Sequence, residues 1–214
     1  MSIASENTQT QTKDSQLNLS PVSALEYLKE GNQRFVNKTT VQRDLHQQVS
    51  DTATGQFPFA AIVSCIDSRI PTEVVFDQGI GDIFNARVAG NFVNEDILGS
   101  LEFACKLAGS KTILILGHTS CGAVKGACDN AQLGNLTQML QKIMPAVDAT
   151  TTEENEERSS KNLKFVNEVA EKNVRLTMEA TAAQSPVLAE MVKNGEISIE
   201  GAIYDVKTGI VSFL

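Results

Sequence analysis

Three short runs of the chain, FAAIVSC (59–65), DIFNARV (82–88) and TILILG (112–117), are apolar at successive rather than alternate positions. A strand covered on both faces, as in a buried parallel sheet, is written that way. NEDILGSLEFACKLAG (94–109), between the second and third runs, has helical periodicity and ends on Gly109, placed as a C-cap. Upstream, SPVSALEYLKEGNQRF predicts a helix with Ser20 as cap, Pro21 in the first helical position, and Ser23 and Glu26 reinforcing the start. Its stripe of Val22, Leu25, Leu28 and Phe35 is written for another surface, and the expected one is a partner subunit. The polar stretch 38–57 reads as loop.

Further helices are expected over about 132–146, about 161–183 and after Pro186, with the acidic DATTTEENEE as a solvated loop between the first two. SIEGAIYDVKTGIVSFL closes the chain as strand, Lys-Thr-Gly turn and strand. Strands alternating with helices predict an α/β fold, a mostly parallel central sheet flanked by helices with right-handed crossovers. Residues 1–19, rich in Ser, Thr, Gln and Asn, read as a disordered polar tail, and 20–214 as a single domain.

Of the 214 residues, 42% are hydrophobic, enough for a core of good size. A formal net charge of -8 with scattered Lys and Arg disfavours nucleic acid or an anionic membrane as partner. No apolar run approaches the roughly 18–20 residues of a membrane span. MSIASENTQTQTKDSQLN has no apolar core like a signal peptide's, and it carries Glu6 and Asp14 but no Arg, unlike a transit peptide. A cytoplasmic protein is expected. In that setting Cys65, Cys105, Cys121 and Cys128 favour metal or catalytic use over disulfides, and the lack of a Cys-x-x-Cys argues against thiol redox chemistry.

Chemistry concentrates at two strand ends. CIDSR (65–69) closes the first apolar run and HTSCG (118–122) the third. In an open parallel sheet, residues just beyond the carboxyl ends of neighbouring strands converge on the ligand crevice. Strands lie about 4.8 Å apart, so Cys65, His118 and Cys121 can meet on one ion at ligand distances of about 2.0–2.3 Å. Thiolates with imidazole select zinc over magnesium or calcium, and three ligands with an open fourth position are the catalytic arrangement. Asp67 and Arg69, two apart on extended backbone, point the same way and can pair. A carboxylate there could occupy the fourth position or accept a proton, and Arg69 would hold it off the metal and ionised. The helix expected after Cys121 offers N–H groups to an anionic product.

With CIDSR after one strand and HTSCG after another, the chain resembles a β-class carbonic anhydrase from about residue 20 to 214. FDQGIGDIFNARVAGN (76–91), GSLEFA (99–104) and GAIYD (201–205) are similar to that family too. The resemblance implies reversible hydration of carbon dioxide to bicarbonate and a proton, with Zn2+ on Cys65, His118 and Cys121. Asp67 and Arg69 would be the dyad controlling the fourth zinc position, with Asp67 itself a ligand in a closed state. It further implies a substrate pocket with Phe84, Ala89 and the Gly122 backbone near a subunit interface, and a homodimer or a multiple such as a homotetramer. Members inhibited by bicarbonate at a second site use a Trp, an Arg and a Tyr where this chain has Ile62, Arg87 and Tyr204. Ala89 stands where many relatives carry a branched residue.

Two other readings use the same residues: a zinc hydrolase of carbon disulfide or carbonyl sulfide, and a non-catalytic zinc-stabilised scaffold. Cys105, on an apolar helix stripe, and Cys128 read as packing residues, and His46 as a surface residue of a polar loop.

Overall fold

The computed structural model describes residues 9–214. In chain order its elements are α1 (Lys13–Leu17), α2 (Pro21–Val36), α3 (Leu45–Thr52), β1 (Ala60–Ser64), α4 (Thr72–Val75), β2 (Ile83–Arg87), α5 (Glu95–Glu102), β3 (Thr112–His118) and α6 (Gly122–Cys128). They continue with α7 (Gly134–Gln141), α8 (Met144–Ala149), α9 (Leu163–Gln184), α10 (Pro186–Lys193), β4 (Ser198–Tyr204) and β5 (Val211–Phe213). The sheet runs β2-β1-β3-β4-β5, parallel except for β5, so the α/β expectation holds. No helix among the described residues is long and apolar enough to cross a membrane.

The unbroken apolar runs serve two faces. Ala60 and Ile62 of β1, with Leu114 and Leu116 of β3, pack with Ala24 and Leu28 of α2. Ala61, Val63, Ile113 and Ile115 point the other way, onto Leu101, Val174, Leu188 and Met191 of α5, α9 and α10. Alternate residues of a strand face opposite sides, so only a strand sandwiched between helices is apolar throughout. The run at 82–88 behaves differently: β2 is an edge strand, and its burial is uneven, with Asn85 and Arg87 exposed.

Several expectations need correction. On α2 a face that the sequence reading did not foresee, Ala24, Leu28, Gly31 and Asn32, is buried on the chain's own core, while Val22 of the expected stripe is 72% exposed. Gly31 permits this approach, since a side chain there would overlap the Phe76 carbonyl. Asn32 completes the contact, donating to the Val75 and Gly209 carbonyls and accepting from the Val211 amide. Of the expected disordered tail, residues 1–8 lie outside the described residues, and 13–17 form a capped helix. Gln16 docks that helix by donating to the carbonyls of Pro58 and Ala108, at 2.8 Å each. The polar stretch 38–57 contains α3, capped by Asp44, whose exposed Leu45 and Val49 give no buried stripe to detect. The helix expected over 132–146 is two, because Pro145 lacks an N–H and its ring cannot follow a continuous helix. The segment 94–109 holds α5 followed by a π-helical turn over 103–107.

Candidate metal centre

The chain leaves β1 for β2 on one side and later fills β3 on the other. Such a reversal opens a crevice at the carboxyl ends of the two central strands. Ser64 pairs with Leu116, so Cys65, directly after β1, faces the end of β3, where His118 is the last residue. A tight turn follows, with Ser120 at φ +56, and brings Cys121 to the N-cap of α6. The ligand atoms of Cys65, His118 and Cys121 all lie within 4.8 Å of one another, and all three residues are buried. The three donors expected from sequence therefore meet.

Their chemistry fits a thiophilic divalent cation. His118 Nδ1 is 3.0 Å from the Thr119 carbonyl, which assigns its proton to Nδ1 and leaves a lone pair on Nε2. Nε2 is buried and has no hydrogen-bond partner in the described residues, an orphan that a metal would satisfy. The Cys65 thiol is driven down to about 4, chiefly by its hydrogen bond with Cys121, with burial opposing and His118 and the Gly90 and Asp67 amides assisting. Cys121 is pushed up, by the same bond to Cys65 and by burial, while the amides of Ala123 and Val124 pull against that. One thiolate is thus accommodated and the second resisted. A dication between the sulfurs removes that repulsion and lets both ionise.

Asp67 sits at the rim of this set. Arg69 grips it in a fork, Nε to Oδ1 at 2.9 Å and Nη2 to Oδ2 at 2.7 Å, and the Arg69 amide adds a third bond to Oδ1. The guanidinium holds the Asp67 carboxyl well below the usual carboxylate range. Asp67 Oδ2 nonetheless comes within 3.9 Å of His118 Nε2. Arg87 braces the loop from behind, donating to the Cys65 carbonyl at 3.0 Å and the Asp67 carbonyl at 2.6 Å. In this structure Arg87 is thus engaged by backbone.

The remaining expected residues are scattered around the centre. Ala89 is half-buried and precedes Gly90, whose amide donates to Cys65 Sγ at 3.5 Å. Gly122 is exposed, directly after Cys121, with open space where a side chain would stand. Phe84 lies elsewhere: its ring meets Phe103 edge-to-face at 6.1 Å, lining a cavity of about 500 Å³ with Ala61, Ile62 and Leu101, and none of Cys65, His118 and Cys121 lines it. Cys105 is buried in the apolar cluster against α10, and burial pushes its thiol up to about 12. Cys128 is half-buried and pushed up to about 11 by burial and by Asp129. His46 is exposed on α3.

Sequence reading missed the residues that hold the two loops. Asn173 of α9 donates to the Gly90 carbonyl, and Asn167 of the same helix accepts from the Ser120 amide. A polar residue on a long helix gives no local signal of such a contact.

A family model described as carbonic anhydrase matches residues 60–211. Carbonic anhydrase 2 of Mycobacterium tuberculosis is 34% identical over 202 residues, which is 90% of this chain and 92% of that protein. The carbonic anhydrase of Mycolicibacterium smegmatis is 31% identical, covering 91% of this chain and 93% of its own. Among solved structures, a β-carbonic anhydrase of Aspergillus fumigatus is similar with a TM-score of 0.67 at 26% identity, covering 90% of this chain and 89% of that one.

Proposed function

The chain belongs to the β-carbonic anhydrase family, whose reaction is the interconversion of carbon dioxide and bicarbonate, and from that premise we propose how its own residues divide the work. Cys65, His118 and Cys121 hold Zn2+, and the supporting observation is the buried, unpartnered His118 Nε2 facing two thiols. When bound, the ion supplies a Lewis acid that makes water acidic enough to act as a nucleophile near neutral pH. Asp67, kept ionised by the Arg69 fork, accepts a proton of the reacting water. Outside that fork its carboxylate would be free to serve as a further ligand of the ion and so close the site. Arg69 therefore acts by deciding where the carboxylate stands, and Arg87 by fixing the backbone that carries both Cys65 and Asp67.

Ala89 and the Gly122 backbone flank the donors and are proposed to contact the substrate. The small side chain of the first, and the open space at the second, leave room for a triatomic molecule. Phe84 is proposed to join the pocket in an assembly, a dimer or a multiple of dimers acting in the cytoplasm. The free edge of β2 and the exposed Phe103 and Leu107 nearby support a covered face there. The metal assignment is tested by measuring zinc content and carbon dioxide hydration of Cys65→Ser. Both are expected to fall together, and a fully zinc-loaded, active variant contradicts the ligand set.

A further inference from the structure

We propose that Asn173 is a positioning residue for the metal centre, acting on Cys65 through the Gly90 backbone; the inference rests on the metal assignment above. Val88 to Asn91 form a tight turn, closed by the Asn91 amide on the Val88 carbonyl at 2.9 Å, with Gly90 in its third place at φ +87. A turn of this kind needs glycine there, and the orientation of its central peptide decides which group faces outward. Here that peptide directs the Gly90 N–H at Cys65 Sγ. Rotated over, the same peptide would present the Ala89 carbonyl and its negative end to a thiolate. The position of this turn therefore decides whether the Gly90 donor stands on Cys65 Sγ, and with it how that sulfur is placed and oriented to hold a cation.

Two contacts fix the turn. A side chain on Gly90 would overlap Ile143, so the loop is wedged against the helical layer. Asn173 Nδ2 donates to the Gly90 carbonyl at 2.8 Å, and Asn173 is 3% exposed, with Val169, Ala170 and Val174 of the same helix also buried. A buried amide in such apolar company needs a fixed partner, and the partner provided is the residue that touches the metal ligand. The same helix reaches the other half of the donor set: Asn167 Oδ1 accepts the Ser120 amide at 2.9 Å, in the turn between His118 and Cys121. One 22-residue helix, packed on β3 and β4, thus references both loops to a single rigid body.

The test is zinc release to a chromophoric chelator, together with the thiolate-to-cobalt charge-transfer band of the Co2+-substituted protein, in Asn173→Leu and Thr177→Val. Leucine keeps the branched outline and deletes the donor. Thr177 is one turn along, buried and lining the same cavity of about 710 Å³, so its variant controls for general loosening of the helix. Asn173→Leu is expected to release zinc roughly tenfold faster and to shift the cobalt band. Thr177→Val should do neither, and Asn173→Gln, which restores an amide donor, should recover part of the loss. Release and spectra equal to wild type in a folded Asn173→Leu overturn the inference alone. A wild-type chain that takes up no zinc overturns the metal assignment and this inference with it. If Asn173→Leu does not fold, Asn173→Ser takes its place: faster release than Thr177→Val supports the role, and equal release refutes it.

Discussion

Asp67 stands between two claims on its charge. Its Oδ2 oxygen accepts from Arg69 while lying 3.9 Å from His118 Nε2. Removing the carboxylate should leave the three donors intact, so Asp67→Ala is expected to bind zinc at wild-type stoichiometry while kcat/KM falls about 10²-fold. Metal analysis beside stopped-flow kinetics checks this, and wild-type rates across the pH range would refute a catalytic role. The Arg69 fork also has a signature without metal. It lowers the folded-state pKa of Asp67, so its stabilisation is complete above the unfolded value of about 4 and is lost as pH falls through the folded one. Zinc-free wild type should therefore lose stability between about pH 5 and 3 more steeply than zinc-free Arg69→Ala. The difference is expected to be small, because Arg69 is half exposed and water screens the pair. Urea midpoints at the two pH values measure it, and parallel losses would show that the fork leaves the carboxyl unperturbed.

At the scale of elements, legibility followed the range of the contacts. Cys65, Asp67 and Arg69 share one strand end and His118 and Cys121 another, so local spacing revealed them and their meeting. The strands showed because β1 and β3 are buried on both faces. Elements docked by polar groups stayed hidden: α1 is held by Gln16, and α3 shows the solvent its apolar residues. Asn173 was illegible for the same reason, since it meets Gly90 from another element 83 residues away along the chain. The face of α2 that meets the chain's own core went unread because small Ala24 and Gly31 make the close approach. That gives a sharp expectation. Gly31→Ala places a methyl against the Phe76 carbonyl, backbone that cannot rotate away, and should cost at least about 2 kcal/mol despite alanine's better helix propensity. A thermal midpoint at or above wild type would show that α2 does not rest there.

Taken whole, the molecule is an open sheet whose reversal point, between β1 and β3, collects every donor of the proposed centre. The free β2 edge and the cavity beside Phe84 lie on another side, which is why an assembly is expected to complete the pocket. Sedimentation of the zinc-loaded protein should give a dimer or a multiple of it, and a fully active monomer would remove Phe84 from the site. The central claim is that these residues make a zinc-dependent carbonic anhydrase. It is met most directly by stopped-flow hydration of carbon dioxide, from about pH 6.5 to 9, with protein carrying one zinc per chain. Turnover that disappears when Cys65→Ser removes the zinc is the predicted result. A zinc-loaded protein with no turnover at any pH, or with faster turnover of carbon disulfide or carbonyl sulfide, would contradict it.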